Sequence, residues 1–285
     1  MQRTANITEL RKLVAEKKRL GKAIALVPTM GYLHRGHLTL IENAKQTGAY
    51  VVVSIFVNPL QFGPNEDYAR YPRDLERDAR LVEEAGVDLL FHPSVEEMYP
   101  QPMVTFVEVS QLDKVLCGAN RPGHFRGVTT VVSKLFHIVQ PDIAFFGQKD
   151  YQQYLIIRRM VSDLNLPLEV RGVPIVREED GLALSSRNVF LSAEQRQEAL
   201  ILSRSLREAE GLIKNGERSA REIEEFIRKT ISRESQGLVD YIEVRDADDL
   251  SDVVNIERPV LIALAVRFGS TRLIDNKVVE VEPDV

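Results

Sequence analysis

Residues 23–38 read Ala23-Ile24-Ala25-Leu26-Val27-Pro28-Thr29-Met30-Gly31-Tyr32-Leu33-His34-Arg35-Gly36-His37-Leu38. The apolar run through Val27 is short and unbroken, as in a parallel strand buried on both faces. From Leu38 onward the apolar residues Leu38, Leu40, Ile41 and Ala44 recur at helical spacing until Gly48. A strand therefore passes through a glycine turn into a helix, the opening step of an α/β fold. His34 and His37 are three residues apart at the helix start, so both imidazoles share one face. The first turn of a helix presents unpaired N–H groups and the positive end of its dipole, which together favour anions. Gly36 removes the side chain that would hold a ligand away from the backbone. The pattern suggests a nucleotide-phosphate site; the alternative is a loop with two solvated histidines. Zinc is not indicated, because no cysteine cluster or third histidine at ligand spacing lies nearby.

Working outward, strand and helix patterns alternate from Ala23 to about Val176. Strands are expected at 23–27, 50–57, 87–91, 104–109, 142–146 and 168–176, and helices at about 37–47, 73–85, 128–139 and 151–163. This alternation predicts a Rossmann-like parallel sheet covered on both faces. In such sheets ligands bind beyond the carboxyl ends of the strands. The histidine loop, Asn58–Gly63 and Gly147–Asp150 all follow strands, so they are expected to share one crevice. After Arg177-Glu178-Glu179-Asp180-Gly181 the character changes. Ser192-Ala193-Glu194-Gln195 reads as a capping box opening a helix to about Lys214, and a second helix covers about 218–233. Strand-like runs follow at 238–244, 259–266 and 272–281. Helices followed by strands suggest a smaller α+β domain. The expected division is 1–177 for the nucleotide- and substrate-binding domain and 178–285 for the smaller one.

The 285 residues suffice for these two domains. With 37 basic and 42 acidic residues the net charge is −5 and no lysine-rich tail is present. Nucleic acid is therefore not expected as a partner. No apolar run reaches the length of a membrane span, and the start lacks an apolar signal core. The single cysteine, Cys117, excludes an intrachain disulfide, and a cytoplasmic location is expected. Nothing around Cys117 in sequence suggests thiolate activation.

Three further runs carry chemistry. In Phe146-Gly147-Gln148-Lys149-Asp150, Lys149 stands at or just before a helix start, where a cation opposes the dipole by about 0.3–1 kcal/mol. An anion lying between the two would explain that placement; a solvated loop lysine is the alternative. Leu184-Ser185-Ser186-Arg187-Asn188 sets two hydroxyls beside a guanidinium, donors suited to phosphate oxygens, although a capped turn also accounts for it. Asn58-Pro59-Leu60-Gln61-Phe62-Gly63 offers uncharged amides to a small polar substrate, or is an ordinary Pro/Gly turn.

Taken together with Tyr71-Pro72-Arg73 and Arg121-Pro122-Gly123-His124-Phe125-Arg126-Gly127-Val128, these runs closely resemble the pantothenate synthetase (pantoate–β-alanine ligase) family, end to end. The His-x-Gly-His element alone indicates only the wider nucleotidylyltransferase superfamily; the full set is specific to the ligase. One departure is Leu184, where the family usually has methionine of similar volume.

The resemblance implies an ATP-dependent condensation of (R)-pantoate with β-alanine through a pantoyl adenylate, giving pantothenate, AMP and pyrophosphate. Magnesium would accompany ATP, with no protein metal ligands assigned. By resemblance His34 and His37 contact phosphates, with His37 the proton donor, and Lys149 contacts the α-phosphate region. Backbone of Met30, Gly31, Tyr32, Leu33, His34, Arg35 and Gly36 would cradle the nucleotide. Gly147, Gln148 and Val176 would border it, and Asp150 would serve the ribose or magnesium. Leu184, Ser185, Ser186 and Arg187 would lie along the β- and γ-phosphates, in a loop of the second domain closing over them. Gln61 and Gln153 would bind pantoate, with Asn58 and His124 as further substrate contacts, Arg126 behind them, and Gln61 also facing β-alanine. A homodimer through the first domain is implied as well. The competing readings are another His-x-Gly-His nucleotidyltransferase with a different acceptor, an RNA-binding synthetase relative and a nucleotide sensor without catalysis.

Overall fold

Six strands form one parallel sheet: β1 Gln2–Thr4, β2 Ile24–Thr29, β3 Tyr50–Ile55, β4 Leu89–Phe91, β5 Ile143–Gly147 and β6 Glu169–Val173, in the order β1-β4-β3-β2-β5-β6. The computed structural model describes residues 1–64, 66 and 68–281. The chain forms two compact units. The first comprises Met1–Asp113, Arg121–Gln148 and Gln153–Pro174; the second comprises Lys114–Asn120, Lys149–Gln152 and Ile175–Val285.

In the first unit the central strands are buried on both sides, which is why they read as continuous apolar runs. Ala25, Val27, Val51, Val53 and Leu90 pack with Leu40, Ile41 and Ala44 of α2 (Arg35–Gln46) and with Ala79 and Val82 of α3 (Leu75–Glu84). Ile24, Leu26, Val52 and Leu89 alternate to the opposite face and are fully buried there. That face is covered by α1 (Ile7–Arg19) and α6 (His124–Val139). The short helix α4 (Val95–Met98) follows β4 and α7 runs Tyr151–Asp163, whereas the short α5 (Leu116–Asn120) belongs to the second unit. The chain builds β2, β3 and β4 in one direction and then adds β5 and β6 on the other side of β2. The loops after β3, β2 and β5 therefore emerge from three adjacent strands at the point where strand order reverses.

The expected strand at 104–109 does not form. Its alternation of Val104, Phe106 and Glu108 suits a strand, but Val107 is tied elsewhere. Its N–H donates to Thr130 Oγ1 at 3.0 Å and its carbonyl accepts from Thr129 Oγ1 at 2.6 Å, both on α6. The two threonines take the ladder's place, and Val104 stays 91% exposed. Conversely β1 and α1 exceed the sequence reading. β1 is three residues of largely exposed edge strand, and α1 buries only Leu10 and Val14.

In the second unit α8 (Ala193–Lys214) and α9 (Ala220–Glu234) pack through Leu202, Leu206, Ile223 and Ile227 on an antiparallel sheet of β7 (Leu238–Asp246), β8 (Val260–Phe268) and β9 (Thr271–Val279). The expected capping box opens α8. Ser192 Oγ accepts from Gln195 N at 3.2 Å, and Gln195 Oε1 accepts from Ser192 N at 3.0 Å. Cys117 is buried here with its Sγ 3.2 Å from Tyr241 Oη and 3.7 Å from both terminal nitrogens of Arg272. A cation thus stands beside the thiol from 155 residues away, which is why the residues flanking Cys117 carry no sign of it.

Candidate active site

His34 is the N-cap of α2, and both histidines cap the helix with Nδ1. Gly36 N–H donates to His34 Nδ1 at 3.2 Å, and His34 N–H donates to His37 Nδ1 at 3.3 Å. Each Nδ1 must keep a lone pair to accept, so each ring is the neutral tautomer carrying its proton on Nε2. The rings lie 4.1 Å apart between centroids at 41°. Two imidazole N–H donors thus accompany the backbone N–H groups of a helix start, a combination suited to phosphate oxygens. Arg35 instead turns along the helix to pair with Glu42, at 2.6 and 3.0 Å.

The loop reaches this geometry through two left-handed residues, Gly31 at φ +84° and Tyr32 at φ +51°. A Cβ at Gly31 would stand 3.0 Å from Ile55 Cγ2 and 3.1 Å from Asp78 Oδ2. Asp78, on α3 and 1% exposed, accepts from Tyr32 N at 2.6 Å and Leu33 N at 2.8 Å. Burial pushes its carboxyl above the usual range, against the pull of those two N–H groups. Asp78 lies outside the sequence-predicted set. Its signal was present, because Asp78, Ala79 and Val82 share one stripe of an otherwise charged helix, and a carboxylate among buried positions needs a partner.

After β3 the amide turn is equally ordered. Asn58 Nδ2 donates to Gln61 Oε1 and to Gly127 O, each at 3.1 Å, and Asn58 Oδ1 accepts from Tyr99 Oη at 2.7 Å. Burial raises the Tyr99 phenol's pKa, keeping it a donor. Gln61 Nε2 approaches Met30 Sδ at 3.1 Å, which joins this turn to the histidine loop. Below it, His124 Nδ1 donates to Gln61 O at 2.8 Å, so its Nε2 can accept from Arg121 Nη1 at 3.0 Å. Arg121 grips Glu66 with two hydrogen bonds of 2.7 and 2.6 Å. Burial opposes ionisation of Glu66, but the bonds and charge of Arg121 outweigh it and hold the carboxyl below its usual range. Arg126 stacks on Phe106 at 4.7 Å. Met30–His37, Asn58, Gln61, His124, Gly147, Gln148 and Gln153 all fall in the first unit.

Lys149, Asp150, Val176 and Leu184–Arg187 fall in the second. Lys149 occupies a 3₁₀ turn leading into α7. Its Nζ lies 3.3 Å from Asp150 Oδ2, and its carbonyl accepts from Asn276 Nδ2 at 2.8 Å. Val176 and Leu184 are brought together by a tight reversal in which Leu184 N–H donates to Val176 O at 3.0 Å. Ser185 then caps a 3₁₀ turn by accepting from Arg187 N at 3.2 Å, while Asn188 Nδ2 bonds Glu178 Oε1 and Ala183 O at 3.1 Å.

Three comparisons with known proteins agree. The sequence model of the pantoate-beta-alanine ligase family matches residues 2–278. A pantothenate synthetase of Desulfitobacterium hafniense (strain DSM 10664 / DCB-2) is 69% identical over 274 residues, covering 96% of this chain and 97% of the relative. That of Acetivibrio thermocellus is 59% identical over 275 residues, covering 96% and 98%. The crystal structure of the pantothenate synthetase from Thermus thermophilus superposes with a TM-score of 0.92 at 49% identity, covering 97% and 99%. The pantoate-beta-alanine ligase of Francisella tularensis, complexed with beta-gamma ATP and beta-alanine, gives a TM-score of 0.79 at 34% identity and covers both chains fully, at 100% each.

Proposed function

Because this chain belongs to the pantoate–β-alanine ligase family, we propose that it joins (R)-pantoate to β-alanine through a pantoyl adenylate. It is a ligase that uses ATP. A carboxylate does not form an amide at neutral pH until one of its oxygens becomes a leaving group. The pantoate oxygen attacks the α-phosphorus, the bond to the bridging oxygen breaks, and pyrophosphate departs. The β-alanine nitrogen then attacks the acyl carbon and the bond to AMP breaks, releasing pantothenate. The first step gathers negative charge about phosphorus, so preorganised donors count for more than covalent chemistry.

One observation carries this reading: the histidine loop and the amide turn are joined through Met30 and Gln61, which supports phosphate-binding donors working beside uncharged substrate-binding amides. In this reading Nε2–H of His34 and His37 serve phosphate oxygens, His37 protonating the departing side. Gln61, Gln153, Asn58 and His124 serve pantoate, with Gln61 also toward β-alanine. Met30–Gly36, Gly147, Gln148 and Val176 serve the nucleotide. Lys149 serves the α-phosphate, Asp150 the ribose or magnesium, and Leu184–Arg187 the outer phosphates. Magnesium arrives on the nucleotide. It keeps water and phosphate oxygens as most of its ligands, and among the described residues no group of three His, Cys, Asp or Glu side chains could hold a metal. Transfer of AMP to a phosphorylated acceptor would call for cations where Asn58 and Gln61 stand.

With pantoate present and β-alanine absent, labelled pyrophosphate is expected to exchange into ATP. Exchange that requires β-alanine, or release of ADP and phosphate, would overturn the adenylate route.

Two further parts of the reading concern assembly and location. Val104 at 91% and Phe106 at 41% exposure leave two large apolar side chains on the surface of the first unit, which supports a homodimer through that unit. Val104→Asp combined with Phe106→Asp is expected to convert a dimer to a folded monomer in sedimentation; a monomeric parent, or an unchanged dimer, would sink the proposal. Among the described residues no helix is long and apolar enough to cross a membrane, which together with the single cysteine supports a cytoplasmic location.

A further inference from the structure

We propose that the Arg77–Asp78 pair on α3 is the positioning device that aims the two imidazoles, acting on them through the backbone of residues 32–34. The proposal rests on the reading of His34 and His37 as phosphate-contacting groups.

Four separate holds run from this one helical turn to the loop. Asp78 Oδ2 accepts from Tyr32 N at 2.6 Å, and Oδ1 accepts from Leu33 N at 2.8 Å. Arg77 Nη2 donates to Leu33 O at 2.8 Å, and its guanidinium carbon lies 5.0 Å from the centre of the Tyr32 ring. Arg77 Nη1 also reaches Asp78 Oδ1 at 3.3 Å, closing the pair on itself. Asp78 is 1% exposed, so water cannot replace it as acceptor. Without those two acceptors the left-handed step at Gly31 and Tyr32 loses what holds it in a sparsely populated conformation.

The connection to the imidazoles is geometric. The peptide joining Leu33 to His34 is planar and trans, so its C=O and N–H point in opposite directions. Arg77 holds that carbonyl and thereby fixes where His34 N–H points. That same N–H is the one His37 Nδ1 accepts, at 3.3 Å. The direction set by Arg77 is thus passed across one rigid peptide to the ring nitrogen of His37, and with it the requirement that the ring proton sit on Nε2. Asp78 fixes the two preceding N–H groups and so the entry of the chain into the His34 cap. A placement error of about 1 Å at a reacting group costs on the order of 10²-fold in rate, so a loop freed at Leu33 should be felt in chemistry well before it is felt in binding.

The test uses the full-length protein and two readouts. Arg77→Met removes the guanidinium at a partly exposed position and Asp78→Asn removes one of two acceptors. Pyrophosphate exchange is expected to slow about 10-fold in the first and about 10- to 100-fold in the second. In a His37→Asn background, where the amide oxygen keeps the cap but no Nε2 remains, each should cost clearly less than in the parent, because the part of the loss passed through His37 is already gone and only the part through His34 remains. Nitrogen-15 spectra should show His37 of the parent as the Nε2–H tautomer and a mixture in either variant. A purely structural role would lower the melting temperature with an unchanged tautomer and additive rate losses, and that result overturns the proposal. If Asp78→Asn does not fold, Arg77→Met decides alone. If His37→Asn exchanges at the parent rate while the tautomer still shifts in Arg77→Met, the positioning stands and the phosphate-contact reading fails.

Discussion

Lys149→Ala is expected to lower the rate of adenylate formation by about 10²–10³, the scale for removing one donor to charge that develops in a transition state. The lysine sits where a strand end turns into α7, its backbone pinned by Asn276 and its ammonium beside Asp150. A cation there opposes the helix dipole, and the neighbouring carboxylate is half exposed and contributes little, about 0–1 kcal/mol for such pairs. If Lys149 meets negative charge that grows on the transferring phosphorus, its contribution appears in the rate and not in ATP affinity, because the outer phosphates are assigned to Ser185–Arg187. The melting temperature should stay within a degree or two of the parent, about the effect of a surface substitution below 0.5 kcal/mol. Single-turnover formation of pantoyl adenylate, with a melting curve on the same sample, measures both. A folded variant with a parental rate would return Lys149 to the surface.

The second large effect is expected from Gly127→Ala. Gly127 lies in the first turns of α6, and a Cβ there would stand 2.2 Å from Leu60 O, 2.5 Å from Leu60 C and 2.7 Å from Gln61 Cα. All three are backbone atoms, so no side-chain rotation relieves the contact and the helix and the amide turn must part. That movement also strains the bond from Asn58 Nδ2 to Gly127 O. Overpacking of this kind costs about 1–3 kcal/mol, so the variant should fold with a lowered melting temperature. Its kcat/KM for pantoate should fall about 10²-fold through displacement of Gln61, with ATP binding nearly intact. Parental use of pantoate by this variant would remove the 58–61 turn from the acid pocket.

How much of this the residues disclose in advance follows from where each interaction is encoded. The parallel strands were legible because burial on both faces leaves unbroken apolar runs, and the helix starts at His34 and Ser192 because capping is local chemistry. Strand 104–109 was misread because alternation specifies a face but not a neighbour, and Thr129 and Thr130 took up the backbone of Val107 instead. β1 escaped notice because three mostly exposed residues carry no period. The amide turn was legible as composition only; its joining to Met30, and the Arg121–Glu66–His124 support beneath it, depend on partners 31 to 63 residues apart. Asp78 was concealed in a helix rich in charge, where one buried carboxylate differs from its exposed neighbours only by its place on the apolar stripe.

The double use of each imidazole also narrows the routes by which this sequence can drift. At positions 34 and 37 one ring nitrogen fastens the loop and, in the function proposed, the other serves phosphate, so two demands fall on a single side chain. No amide can answer both: the oxygen of asparagine falls near Nδ1, and the terminal group of glutamine reaches toward Nε2. A lineage leaving histidine at either position must pass through a protein that keeps its loop and drops its donor, or keeps a donor on a loosened loop. Neighbouring sequences in mutational space are therefore separated from this one by a step down, whichever side of the ring is surrendered first.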